Sequence, residues 1–277
     1  MTPLEVPLDL GSGAPIVLLH GFGMTPRTYG PTARLLAEEA RVVVPDLFAV
    51  SGPWRYEQVL ESLVETLDSL ELDRVSLVGH SFGGGLELGF AAAHPSRVVE
   101  LVFSDTLAVS SEWGLADEAL RHPLGLLHLA TPRAATAFAR SWLEHPRQML
   151  GAAWWGFTSA RGDDIGSIAR AGLRAHVLWA NRDSILSRED GEEFARGMAA
   201  TFTVASAPDR RYIDHDWMFQ QPELFVAHLR RLGLVALGEG RRLAGVTPPG
   251  DLPEQASGRS WKSVREEEER GAMGEVH

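Results

Sequence analysis

Five short apolar runs recur through the chain, at 16–20 (IVLLH), 41–46 (RVVVPD), 74–80 (RVSLVGH), 97–105 (RVVELVFSD) and 175–181 (AHVLWAN), with longer segments of helical pattern between them. Runs this continuously apolar suit strands covered on both faces, and strands that alternate with helices come back parallel to one another. The expected fold class is therefore α/β, a mostly parallel central sheet flanked by helices. In 54–71, Val59, Leu63, Leu67 and Leu70 recur at three-to-four spacing while Glu57, Glu61, Glu65 and Asp68 fall largely elsewhere, so one stripe of a helix faces the sheet. Further helices are expected over 82–93, stopped at His94-Pro95, over 192–200 and near 218–233.

The alternation breaks after Asp105. Residues 107–172 hold no convincing strand but carry Trp113, Phe138, Trp142, Trp154, Trp155 and Phe157 among helix-like stretches, which points to a helical cap inserted between core segments 1–106 and 173–236. From 237 to 277, Gly, Pro and charge dominate and the run REEEER follows; this tail carries too little apolar surface to offset its ordering entropy and is expected to be disordered or loosely attached. A formal net charge of −11 argues against a phosphate-tracking surface, so no nucleic-acid partner is expected. The absence of cysteine excludes disulfides, thiolate metal sites and a cysteine nucleophile. With no signal-like start and no long uncharged apolar run, the expectation is a cytoplasmic protein without a membrane span.

Gly79-His80-Ser81-Phe82-Gly83 fits the pattern G-x-S-x-G in the setting that pattern needs, a strand before it and a helix of small residues after it. A serine on so sharp a turn is exposed at the end of the sheet. The helix that starts there directs unpaired backbone N–H groups and the positive end of its dipole at the same point. The loop His20-Gly21-Phe22-Gly23 closes the first strong strand, at the end of a parallel sheet where ligands bind. The backbone N–H groups of Phe22 and Phe82 are the candidate oxyanion donors. His20 reads as a structural histidine that bonds nearby backbone rather than as a base. His94, His122, His128 and His145 show no metal-ligand spacing, and neither a metal nor a cofactor is expected.

Through HGFG, PDL, GHSFGG, LWANRD and IDHDW, over roughly residues 14–233, the chain resembles the α/β-hydrolase fold superfamily. The resemblance implies a catalytic triad in the chain order nucleophile, acid, histidine, which places Ser81 as nucleophile, Asp183 as acid and His215 as base. Asp105, at the end of the preceding strand, is the rival acid, since some relatives use that position. Three features depart from the usual pattern: FAVSGPWRY follows PDL, Asp214 rather than glycine precedes His215, and the segment before Ile16 is short, so the first strands are expected to be reduced. The expected activity is that of a serine hydrolase, carboxylesterase-like, cleaving a small ester or related acyl substrate with an apolar group. Hydrolysis of a carbon–carbon bond in a diketone and a non-catalytic ligand receptor on the same fold are the alternatives.

Overall fold

A computed structural model describes residues 2–107, 131–158, 162–207 and 212–235. The expectations for 108–130, with Trp113, His122 and His128, and for the 237–277 tail lie outside the described residues. A seven-stranded sheet runs in the order β1-β3-β2-β4-β5-β6-β7, formed by β1 Leu8–Gly11, β2 Pro15–Leu19, β3 Arg41–Val44, β4 Val75–His80, β5 Val98–Ser104, β6 Arg174–Trp179 and β7 Thr201–Val204. All neighbours pair in parallel except β1, which runs antiparallel to β3 with Leu8 opposite Val44. The five expected strands are the inner ones. The two edges, β1 and β7, escape a search for apolar runs because they are four residues long and never fully buried.

The described helices are α1 Gly30–Leu36, α2 Tyr56–Ser69, α3 Phe82–Ala93, α4 Pro132–Glu144, α5 Pro146–Thr158, α6 Gly162–Ala171, α7 Arg188–Met198, α8 Trp217–Gln220 and α9 Pro222–Leu232. In α2, Val59, Leu63 and Leu67 are buried as their spacing requires. The single helix expected near 218–233 is instead two, because Pro222 forces Gln221 out of the helical region to φ −129°, ψ 59°. Between β5 and β6 the described residues form α4, α5 and α6 only. No described helix is long and apolar enough to cross a membrane.

Helix α3 lies directly on the sheet, which its glycines permit. A Cβ on Gly79 would press on the Gly84 Cα at 2.6 Å and on the Glu87 carboxyl, and one on Gly83 would meet the Leu19 carbonyl. The same approach buries Glu87 completely, where Oε1 accepts the Val102 N–H at 3.1 Å. Burial pushes the Glu87 carboxyl well above the usual carboxylate range. A carboxyl raised in the folded state stabilises fully below its ordinary value of 4.5, and that contribution is lost as pH rises toward the raised one. Glu87→Gln keeps the shape of the neutral acid without titrating. Its melting temperature is therefore expected to gain on wild type between pH 5 and 7, by about 2–4 °C for each kcal/mol; a difference that is flat with pH contradicts the assignment.

Candidate active site

Ser81 sits between β4 and α3 with φ 52° and ψ −117°, a conformation that costs a non-glycine residue on the order of 1–3 kcal/mol. Backbone bonds hold the turn in place: Ser81 N–H donates to the Ser104 carbonyl at 3.0 Å, and the Ser81 carbonyl accepts from Gly84 at 3.0 Å and Leu107 at 3.1 Å. Phe82 is the first residue of α3, so its N–H has no partner within the helix. Phe22 lies across from it, with ring centroids 5.9 Å apart.

His215 stands in the loop before α8, and its Nδ1 faces Asp183 Oδ2 at 2.8 Å, both side chains nearly sealed from solvent. The other Asp183 oxygen accepts the N–H groups of Ile185 at 2.7 Å and Leu186 at 2.8 Å. Burial alone raises the Asp183 carboxyl, but the His215 charge and these hydrogen bonds outweigh it and hold the carboxyl low. For His215, burial pulls the pKa down, while the charge and hydrogen bond of Asp183, with Asp216 and Asp105 behind it, bring it up to about 9.

Asp105, the rival acid, has other hydrogen-bond partners. Asp105, itself at φ 46°, accepts the Ala180 N–H at 2.6 Å on Oδ1 and the Trp217 Nε1–H at 2.7 Å on Oδ2, and Ser104 Oγ lies 2.9 Å from Oδ2. It pins β6 and α8 to the end of β5, and burial followed by the charge of Asp183 pushes its carboxyl well up. Asp214 spends Oδ1 on the backbone N–H groups of Ser184 at 2.9 Å and His215 at 2.8 Å and lies exposed. Its neighbour Asp216 is buried and pushed up to about 6 by that burial. The sequence drew attention to Asp214, whereas Asp216 is the carboxylate that adds to the field at His215.

His20 is the backbone-bonding residue its loop suggests. Nε2 accepts the Leu47 N–H at 3.0 Å, which leaves Nδ1 to donate to the Gly21 carbonyl at 3.1 Å. Aromatic rings pack on the side chains of the two residues whose N–H groups are the candidate oxyanion donors. Phe138 of α4 stands 6.1 Å from Phe22, and Trp54 and Trp155 stand 5.5 and 5.0 Å from Phe82. Trp155 is buried against Phe82 while its neighbour Trp154 points outward at 74% exposure, so the tryptophan-rich stretch divides between core and surface. Helices α4 and α5 are tied to the core beside this cluster: Ser141 Oγ donates to the Met24 carbonyl at 3.1 Å, Gln148 Nε2 to the Val50 and Gly52 carbonyls, and His145 Nε2 lies 3.4 Å from Asp46 Oδ2.

Residues 16–228 match the model of the alpha/beta hydrolase family. Over 114 residues the chain is 39% identical to a 2-hydroxy-6-oxo-2,4-heptadienoate hydrolase of Pseudomonas putida, a match that takes in 38% of this chain and 41% of that protein. Over 112 residues it is 32% identical to a 2-hydroxymuconate semialdehyde hydrolase of a Pseudomonas strain, covering 37% and 40%. These matches span about two fifths of the relatives' length. Among solved structures, a meta-cleavage product hydrolase from Pseudomonas fluorescens superposes with a TM-score of 0.65 at 17% identity, over 82% of this chain and 93% of that one. An enol-lactonase from Burkholderia xenovorans superposes with a TM-score of 0.63 at 19% identity, over 83% and 96%. With the family model spanning the sheet from β2 to α9, the chain belongs to the alpha/beta hydrolase family.

Proposed function

We propose that this hydrolase is a serine hydrolase cleaving a small ester or related acyl substrate with an apolar group, with Ser81 as nucleophile, His215 as base and Asp183 as the acid that orients it. One contact carries the reading. His80, in the same sharp turn as Ser81, places Nε2 2.9 Å from the His215 carbonyl, so the nucleophile turn and the His215–Asp183 pair meet at one point.

In the proposed reaction His215 takes the Ser81 hydroxyl proton through Nε2 while Oγ bonds to the carbonyl carbon and the carbonyl π pair moves to oxygen. The N–H groups of Phe22 and Phe82 meet that oxyanion; one such donor is worth about 3 kcal/mol of barrier. Collapse breaks the carbon–oxygen bond to the alcohol, which leaves with the proton from His215. Water then repeats the steps on the acyl-enzyme, with His215 again as base.

The heptadienoate hydrolase relative favours a second reading, hydrolysis of a carbon–carbon bond in a diketone. The rings of Phe48, Trp54, Phe138 and Trp155 packed on Phe22 and Phe82 support an apolar acyl or alkyl group near Ser81. Steady-state kinetics on p-nitrophenyl acetate through octanoate beside a 2-hydroxy-6-oxo-2,4-dienoate separates the readings. Ester kcat/KM at least about 100-fold above that for the dienoate is expected, roughly the 3 kcal/mol of a mismatched buried charge. The reverse ratio gives the site to carbon–carbon cleavage, and turnover of neither class moves the protein to a ligand-receptor role.

A further inference from the structure

We propose that Tyr29 and His80 form a positioning relay that joins the backbone of the 20–23 loop to the backbone of the His215 loop, and so sets where the oxyanion donors and the base stand around Ser81. The proposal rests on the roles given above to Ser81, His215 and Phe22.

The relay is a chain of three buried hydrogen bonds. Gly21 N–H donates to the Tyr29 hydroxyl oxygen at 2.9 Å, that oxygen lies 2.6 Å from His80 Nδ1, and His80 Nε2 lies 2.9 Å from the His215 carbonyl. The direction of each bond follows from its ends. A carbonyl oxygen only accepts, so His80 Nε2 carries a hydrogen and donates to His215. The Tyr29 oxygen accepts from Gly21, and when the His80 ring is neutral the Tyr29 hydrogen goes to Nδ1. Burial, aided by the charge of Asp216 and opposed by the Gly21 bond, leaves the Tyr29 phenol well above its usual range, so it keeps that hydrogen. With His80 neutral, this arrangement satisfies all three bonds.

Each end of the chain stops one residue or less from a reacting group. Gly21 precedes Phe22, His80 precedes Ser81, and the accepting carbonyl belongs to His215 itself. The rings have little room to turn: Phe219 packs its ring against Tyr29 at 5.4 Å and against His80 at 6.3 Å, both edge-on. A Cβ on Gly21 would stand 3.0 Å from His80 Nδ1, so the loop backbone rests on the relay directly. Neither Tyr29 nor His80 touches substrate in this proposal. They act by holding geometry, and a displacement of about 1 Å in such a constellation costs on the order of 100-fold in rate.

The test compares wild type, Tyr29→Phe, His80→Leu, the double variant and His80→Gln in ester turnover, with rates expressed per fluorophosphonate-titrated site so that unfolded protein drops out. Tyr29→Phe and His80→Leu are each expected to lower kcat by about 10–100-fold with KM within about 3-fold, as loss of an orienting partner does. The double variant is expected to be no worse than the worse single one, because both break the same chain. His80→Gln, whose carboxamide offers one acceptor and one donor at similar separation, is expected to recover most of the kcat lost in His80→Leu. Single variants within about 2-fold of wild type, a double variant whose losses multiply, or His80→Gln no better than His80→Leu overturns the relay. Should Tyr29→Phe not fold, the two His80 variants decide in the same terms. A wild type that neither labels nor turns over ester overturns the serine chemistry instead, which keeps the two failures apart.

Discussion

Ser81→Ala is expected to lower kcat/KM for an acyl ester by about 10⁴–10⁶-fold, the range over which removal of a serine nucleophile leaves only oxyanion stabilisation and binding. The size of the effect follows from what remains. Alanine keeps the backbone of the turn, whose N–H and carbonyl are bonded to Ser104, Gly84 and Leu107, so the amides of Phe22 and Phe82 stay where they are. Losing the hydroxyl removes the acyl-enzyme route altogether, and water must attack without a covalent intermediate. The melting temperature is expected to move by less than about 3 °C, since one half-buried hydroxyl is lost and no cavity opens in the core. A variant retaining more than about 1% of wild-type turnover would mean that another residue, or an activated water, does the chemistry.

Asp183→Asn carries the second large effect. In the wild type His215 is raised to about 9, and a base must be neutral to take the serine proton, so kcat/KM is expected to climb with pH through a limb well above the 6.5 of an ordinary histidine. At pH 7 that shift keeps the ring mostly protonated in the free enzyme. The asparagine removes the charge and the hydrogen bond that hold the pKa up, while the pull of burial remains, so the limb is expected to move down. At the same time kcat is expected to fall by about 10⁴-fold, because an amide no longer fixes the ring tautomer or stabilises the imidazolium. Rate profiles from pH 5 to 10 on both proteins show the two changes together. A wild-type limb at or below 6.5, or one that Asp183→Asn leaves in place, would return the role of acid to Asp105.

The inner strands were legible because their demand is simple: a strand covered on both faces is mostly apolar at successive positions, and 16–20, 41–46, 74–80, 97–105 and 175–181 are, with Ser76, Glu100 and His176 among the buried polar exceptions. Edge strands face no such demand. Leu8–Gly11 alternates half-buried and exposed residues and ends in glycine, and Thr201–Val204 is nowhere fully buried, so neither stands out from a loop. Helix α1 was hidden for a different reason: it opens on Gly30-Pro31, which reads as a turn, and is held by packing of Ala33 and Leu36 rather than by propensity. Pro222 is visible in the sequence, and its ring breaks the last helix in two.

At the site, Ser81, Asp183 and His215 could be read because each stands at a motif or at the end of a strand, where chain order carries information. The relay could not. Tyr29 and His80 lie 51 residues apart and His80 and His215 135 apart, and only the folded sheet brings the three bonds into line. The two carboxylates flanking His215 look alike in the sequence, and their burial tells them apart: Asp214 is exposed and Asp216 buried.

The most direct measurement of the central claim is intact-mass detection of a fluorophosphonate adduct on the full chain, with peptide mapping and with Ser81→Ala and His215→Ala alongside. The expected result is one adduct per wild-type chain, mapped to Ser81, none on Ser81→Ala and labelling of His215→Ala slower by at least about 100-fold. An adduct that persists on Ser81→Ala, or a folded wild type that takes none, contradicts the assignment of Ser81 as an activated nucleophile.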